Sequence, residues 1–203
     1  MGTERGLQRL VNFSDAVVAI AITLLVLPLV DAASSIGSTG IGHFFDGSKP
    51  RLLAFTLSFA VIGSFWWGQH QMFERVRSYN TVLMLATFAW LFSIVFLPFP
   101  TELLGASRQS SVTVHGIYVG TMVVAAMATL VQQWAIVRWP ELQDEEERGS
   151  ATTDSAFVLA IIMAVALLVV VTLPRVGLWA LLLLLLSRPI EHLLAARRKR
   201  SRS

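Results

Sequence analysis

RLVNFSDAVVAIAITLLVLPL, residues 9–29, decides how the rest of the chain is read. It opens on Arg9, carries Ser14 and Asp15 side by side, and is then almost wholly apolar up to Pro28. Its length matches the roughly 20 apolar residues that a helix needs to cross the hydrocarbon core of a bilayer. A carboxylate inside such a helix is costly unless protein groups answer it, so Asp15 is expected to do a job.

The composition agrees with a membrane reading. Of 203 residues, 55% are hydrophobic and 14% charged, where a soluble domain carries about 25% charge. Cysteine is absent, which excludes disulfides, thiolate metal sites and cysteine nucleophiles. Ser14 and Asp15 interrupt the apolar stretch a signal peptide requires, and no small-residue cleavage site follows, so no cleavable leader is expected. Much of the positive excess sits in the tail at 197–202, which reads as a membrane-flanking anchor and not as a nucleic-acid site.

The pattern predicts an all-α integral membrane protein with six spans, at about 7–30, 52–75, 81–99, 112–137, 153–173 and 176–195. The channel-sized unit is 1–196, followed by a basic tail at 197–203. The Gly- and Ser-rich segment 31–50 is the longest expected loop, Pro98-Phe99-Pro100 reads as a helix exit, and residues 174–177 form a tight turn. The positive-inside rule sets the orientation. With the N-terminus inside, every lysine and arginine except Lys49, Arg51, Arg108 and Arg175 falls on the cytoplasmic side, so both termini are expected to be cytoplasmic.

On the first helix, Arg9, Phe13, Ile20, Leu24 and Leu27 fall within about 60° of one another at 100° per residue, with Thr23 on the border. Asp15 lies about 140° away. Two roles are open for this apolar column. It either packs against neighbouring helices, the commoner case, or lines a symmetric pore whose apolar rings gate by dewetting. Asp15, off the column, reads as a hydrogen-bonded anchor. Depth supplies its expected partners: Arg9 and Ser14 on its own helix, Trp67 and His70 near the end of the second, and Asn80 at the start of the third. Such a network would satisfy these polar groups within the protein.

RLVNFSD at 9–15 resembles the R-x-x-x-F-S-D signature of the endosomal and lysosomal potassium channel family, transmembrane protein 175, and its prokaryotic relatives. AVVAIAITLLVL at 16–27, WGQHQMF at 67–73, Asn80 and FLPFPT at 96–101 extend the resemblance over the first three spans. The last three spans agree mainly in number and length. The resemblance implies a homotetramer in the cell's inner (plasma) membrane, six spans per subunit and a pore lined by the first helix. It also implies passive conduction of monovalent cations with preference for K+, without cofactor or resident metal. There is no T-V-G-Y-G filter; TVHGIYVG at 113–120 lies inside a span. By position, the resemblance makes Ile20 the main hydrophobic constriction, Leu24 and Leu27 further rings, and Thr23 a hydroxyl for ion coordination or selectivity. Arg9, Phe13, Ser14 and Asp15 become a structural and gating network with Trp67, His70 and Asn80. No acidic side chain sits on the stripe, so cation preference has to come from hydroxyls, carbonyls, helix ends or mouth charges. Glu102 and Asp31 are mouth candidates and equally plain loop residues.

Three other classes share this composition. A proton-coupled transporter would use Asp15 and His70, yet the internal repeat and interrupted mid-membrane helices of such proteins are not visible. An enzyme is not expected: His43, His70, His115 and His192 are scattered, and neither H-E-x-x-H nor G-x-S-x-G occurs. Asp154 and Ser155 read as helix-capping residues, and GSTGIG at 37–42 as a linker. A non-conducting scaffold remains the third.

Overall fold

The computed structural model describes residues 2–34, 41–106, 112–144 and the single position 161, with backbone alone over 41–46. The predicted spans at 153–173 and 176–195 and the tail at 197–203 lie outside the described residues, apart from Ile161.

Helix α1 runs Glu4–Leu24. Thr3 caps it by accepting the Gly6 N–H at 3.2 Å, and Glu4 in the first turn suits the positive end of the helix dipole. A break at Leu25 and Val26 separates it from α2, Leu27–Ala33. The cause is local: Pro28 has no N–H to give to the carbonyl of Leu24, four residues back. The N–H groups of Leu25 and Val26 tighten instead onto the carbonyls of Ile22 and Thr23, at 3.3 and 3.2 Å.

Helix α3 covers Ile41–Phe73 with Pro50 inside it. The expected loop at 31–50 is therefore helical at both ends. Gly and Ser weaken a helix by only a few tenths to about 1 kcal/mol each, which the rest of a long helix can outweigh. Helix α4, Thr81–Phe96, starts at Asn80, whose side chain accepts the Leu83 N–H at 2.8 Å. The expected exit at Pro98 is not an exit. A second helix, α5, Pro98–Ala106, follows after Leu97 alone. Prolines 98 and 100 fall in its first turn, where a helix needs no N–H donors. Helix α6 is Val112–Arg138, with Arg138 favourably placed at the negative C-terminal end. A short 3-10 turn, Pro140–Leu142, closes the described chain.

Among the described residues, four stretches are long and apolar enough to cross a membrane: Glu4–Ala33, Gly47–Phe73, Thr81–Ala106 and Val112–Arg138. Helix α4 packs most extensively on α6, and α5 on α3. Ala125, Ala126 and Ala128 let α6 approach closely around the fully buried Trp90. The Ser58 hydroxyl joins those of Thr101 at 2.7 Å and Tyr118 at 3.0 Å, tying α3, α5 and α6 together.

At one end of the bundle, three chain segments clasp each other. The Gly2 N–H donates to the Tyr79 carbonyl at 2.7 Å, the Arg77 N–H to Leu142 at 2.8 Å, and the Asp144 N–H to Arg75 at 3.1 Å. Val76 and Gln143 form an isolated antiparallel bridge. Gly2 is needed where it stands, because a Cβ there would overlap the Tyr79 ring. The Arg77–Glu4 ion pair, 2.8 Å, is largely exposed and adds little. Burial of Leu7, Phe73, Val76, Leu83 and Leu142 holds the clasp. Leu142→Ala should therefore cost about 2–5 kcal/mol, the usual range for a fully buried leucine. Thermal unfolding in detergent should show a clearly lowered midpoint; an unchanged one would mean the clasp contributes no stability.

An outward apolar stripe and its carboxylate anchor

Helix α1 has two faces. Leu7, Leu10, Ser14, Val18 and Ala21 are buried against the bundle, as is Leu25 just beyond. On the opposite face, Phe13, Ile20, Thr23 and Leu24 are exposed, and Leu27 of α2 continues the line. Ile20, 59% exposed, is the most open of them. The segment is peripheral as a whole. Only 17% of the most apolar part of α1–α2 is buried within the subunit, against 39–44% for the other three spans.

The Thr23 hydroxyl donates to the Ile20 carbonyl at 2.7 Å. Its proton is thereby used within the helix, and its oxygen keeps lone pairs to offer outward. The Leu24 carbonyl, one turn further along the axis, receives no N–H from Pro28.

Asp15 is half-buried off this stripe and accepts a hydrogen bond from the Trp66 indole N–H at 2.8 Å. The Trp66 ring stacks on His70, centroids 5.3 Å apart and planes 21° apart. His70 Nε2 in turn lies 3.3 Å from a Glu74 carboxylate oxygen. Phe13 packs against Phe88 of α4 at 5.9 Å.

This is only part of the network expected from depth. Asp15 and His70 do share a group, through the indole between them. The tryptophan on Asp15 is Trp66 and not Trp67, which is 49% exposed and packs its ring against those of Trp66 and His70. One residue turns a helix by 100°, so the Trp-Trp doublet left the partner undetermined. Ser14 donates to the Leu10 carbonyl at 2.8 Å, Asn80 is occupied with capping α4, and Arg9 is exposed. Trp66 and Glu74 are the members that depth reasoning missed. Among the described residues, no three His, Cys, Asp or Glu side chains are grouped as metal ligands would be.

An apolar helix turned outward from a multi-helix bundle, with the carboxylate at its middle, Asp15, anchored inward, defines a multi-pass membrane protein built to present that helix. Comparison with known proteins narrows the class. The family described as endosomal/lysosomal potassium channel TMEM175 matches residues 9–98. A potassium channel of Streptomyces collinus is 32% identical over 139 residues, 67% of each chain. One of a Chryseobacterium species is 34% identical, covering 64% of this chain and 65% of that one. The human endosomal/lysosomal proton channel TMEM175 is 25% identical over 71% of this chain, which spans 28% of the human protein. Among solved structures, a lysosomal potassium-selective channel TMEM175 homolog from Chamaesiphon minutus has the same fold, with a TM-score of 0.76 and 22% identity. That match covers 91% of this chain and 97% of the other. The chain belongs to the TMEM175 family.

The Asp15–Trp66 bond yields a test. Asp15→Leu and Trp66→Phe should each lower the thermal stability of the detergent-solubilised protein by about 1 kcal/mol or more, because each removes one partner of a charge-assisted hydrogen bond. The double variant should lose little beyond either single. Additive losses, or an equal loss from Trp67→Phe, would show that the bond in the structure does not hold α1.

Proposed function

We propose that the chain is the subunit of a potassium-preferring cation channel, in which four copies set α1 and α2 around a central axis. The observation that carries this reading is the exposure of Ile20, Leu24 and Leu27 along one line of the least buried of the four described spans. A helix that serves only to pack its own bundle has no reason to sit so far outside it. The names of the bacterial relatives as potassium channels supply the ion. Ile20, Leu24 and Leu27 then form apolar rings that close the pore by dewetting, and Ile20 is the narrow point. Thr23, with its hydroxyl oxygen free to coordinate, and the adjacent Leu24 carbonyl attract cations without any acidic side chain on the stripe. The resident chemistry is permeating K+ alone.

The clasp end of the bundle carries Arg5, Arg9, Arg75, Arg77 and Arg138. Positive charge favours the cytoplasmic side, so this end faces the cytoplasm of a cell whose inner membrane the protein spans. With six spans, both termini lie on that side. Asp15 bonded to Trp66, with His70 stacked behind the indole, and Phe13 packed on Phe88 hold the cytoplasmic half of α1 in place. The proton-coupled transporter reading gains no support, since the Trp66 ring stands between Asp15 and His70.

Proteoliposomes holding the purified oligomer under a potassium gradient test the proposal. Potassium flux should exceed sodium flux and should not saturate or require a second ion. Absence of flux from well-folded oligomers would sink the channel reading, and saturable coupled flux would favour a transporter. Ile20→Asn should wet the constriction and raise potassium flux severalfold; an unchanged flux would remove Ile20 from the narrow point. Thr23→Ala should narrow the difference between potassium and sodium flux while leaving assembly intact, as judged by size-exclusion chromatography.

A further inference from the structure

The bundle has two apolar cores, not one. The larger includes Val18, Phe65, Trp90 and Ala128, and the smaller, at the clasp end, Leu7, Met72, Leu83 and Ala135. Between them, each of the four membrane helices contributes one buried polar side chain: Ser14, Gln69, Thr87 and Gln132, none more than 4% exposed. The spacing is regular. Ser14 lies between Val11 and Val18, Gln69 between Phe65 and Met72, Thr87 between Leu83 and Trp90, and Gln132 between Ala128 and Ala135. In every case the flanking core residues are three or four positions away, the interval that shares a helix face. One contact joins two of the four directly, and contacts of neighbouring residues bring their helices together near the others. Gln132 Nε2 donates to the Thr87 hydroxyl at 3.0 Å. Phe13 meets Phe88, and Asp15 is bonded to Trp66, one turn from Gln69.

The hydrogen-bond accounting of this layer does not close. The Ser14 and Thr87 hydroxyls donate to the carbonyls of Leu10 and Leu83, both at 2.8 Å. Both ends of the Gln69 amide, the Gln132 Oε1 and the Trp90 indole N–H have no partner among the described residues. Groups so buried in a membrane bundle can turn neither to lipid nor to bulk solvent, and buried polar atoms in native proteins are answered by protein or by ordered water.

We propose that ordered water occupies this layer and bridges Gln69 to Trp90 and Gln132. The chemistry selects the occupant. Unpaired N–H donors at Gln69 and Trp90 oppose a cation, and among the described residues the nearby carboxylate of Asp15 is committed to the Trp66 indole. The named side chains of the layer include no cationic group to keep an anion. Water alone donates to the amide oxygens and accepts from the N–H groups at once. The site lies inside the subunit, behind α1, and does not depend on the conduction reading.

Radiolytic hydroxyl-radical footprinting of the full-length oligomer tests it, because radicals generated from bound water oxidise side chains that bulk radicals do not reach. Trp90, fully buried, should be oxidised. Met122, equally buried in the larger core, should not. The pair Gln69→Leu and Gln132→Leu together should abolish labelling of Trp90, and Gln69→Leu alone should lower the thermal midpoint by leaving the bridging water short of partners. Silence at Trp90 in the wild type overturns the proposal. So does labelling that survives the double substitution, or a midpoint raised by Gln69→Leu, which is the response of a dry layer to an apolar side chain. Should the double variant fail to fold, the wild-type footprint and the single variant decide.

Discussion

Lipid offers a polar group no partner, and the rest of this structure follows from that constraint. Hydroxyls within the spans answer it locally: Ser14, Thr87, Ser93, Thr101, Thr121 and Thr129 all donate to the carbonyl one turn back on their own helix. A carboxylate has no proton to donate in this way when ionised and has to be met from another helix. Asp15 is met by Trp66. The requirement that makes Asp15 costly therefore also makes it directional, because the donor stands at one place on α3.

That direction sets the rotation of α1. Turning the helix by one residue, 100°, would carry Asp15 off its partner and bring a different set of side chains to the outside. With Asp15 held, the outward line is Phe13, Ile20, Leu24 and Leu27, and the inward one is Leu7, Leu10, Ser14, Val18 and Ala21. Phe13 and Phe88 brace the same level from α4. Beyond Ala21 the constraint weakens, and there Pro28 breaks the helix. The anchored half and the stripe as far as Leu24 thus lie on one continuous helix, although the residues that fix it and the residues it presents lie on different faces.

How much of this could be read from the sequence depended on the kind of signal. The outward stripe was legible because periodicity reports angle, and the angular separation of Asp15 from Ile20 survives any choice of neighbours. The identity of the anchor's partner was not, because depth is measured along the axis and Trp66 and Trp67 share it. The helix boundaries at Pro98 and in 31–50 were misread for a common reason. Proline and glycine are read as breakers, but a proline in a first turn breaks nothing, and a long membrane helix absorbs weak residues. The polar layer of Ser14, Gln69, Thr87 and Gln132 was not legible in the sequence, since each stands among other polar residues of its helix, such as Asp15, His70, Ser93 and Gln133, and nothing in the string marks which of them turn inward. Only packing marks them.

The stripe also bears on how a cation could be favoured where no carboxylate points outward. A ring of acidic side chains binds strongly and suits ions of higher charge. Hydroxyl and carbonyl oxygens are weaker-field ligands that replace hydration without trapping the ion. Thr23 spends its proton on the Ile20 carbonyl, and Pro28 releases the Leu24 carbonyl from its helical partner. Both oxygens arise from backbone geometry near the helix break, one turn beyond Ile20. In the proposed channel the apolar constriction and the cation-attracting level are then adjacent turns of one helix, so a small rotation of α1 about its Asp15 anchor would alter wetting and coordination together.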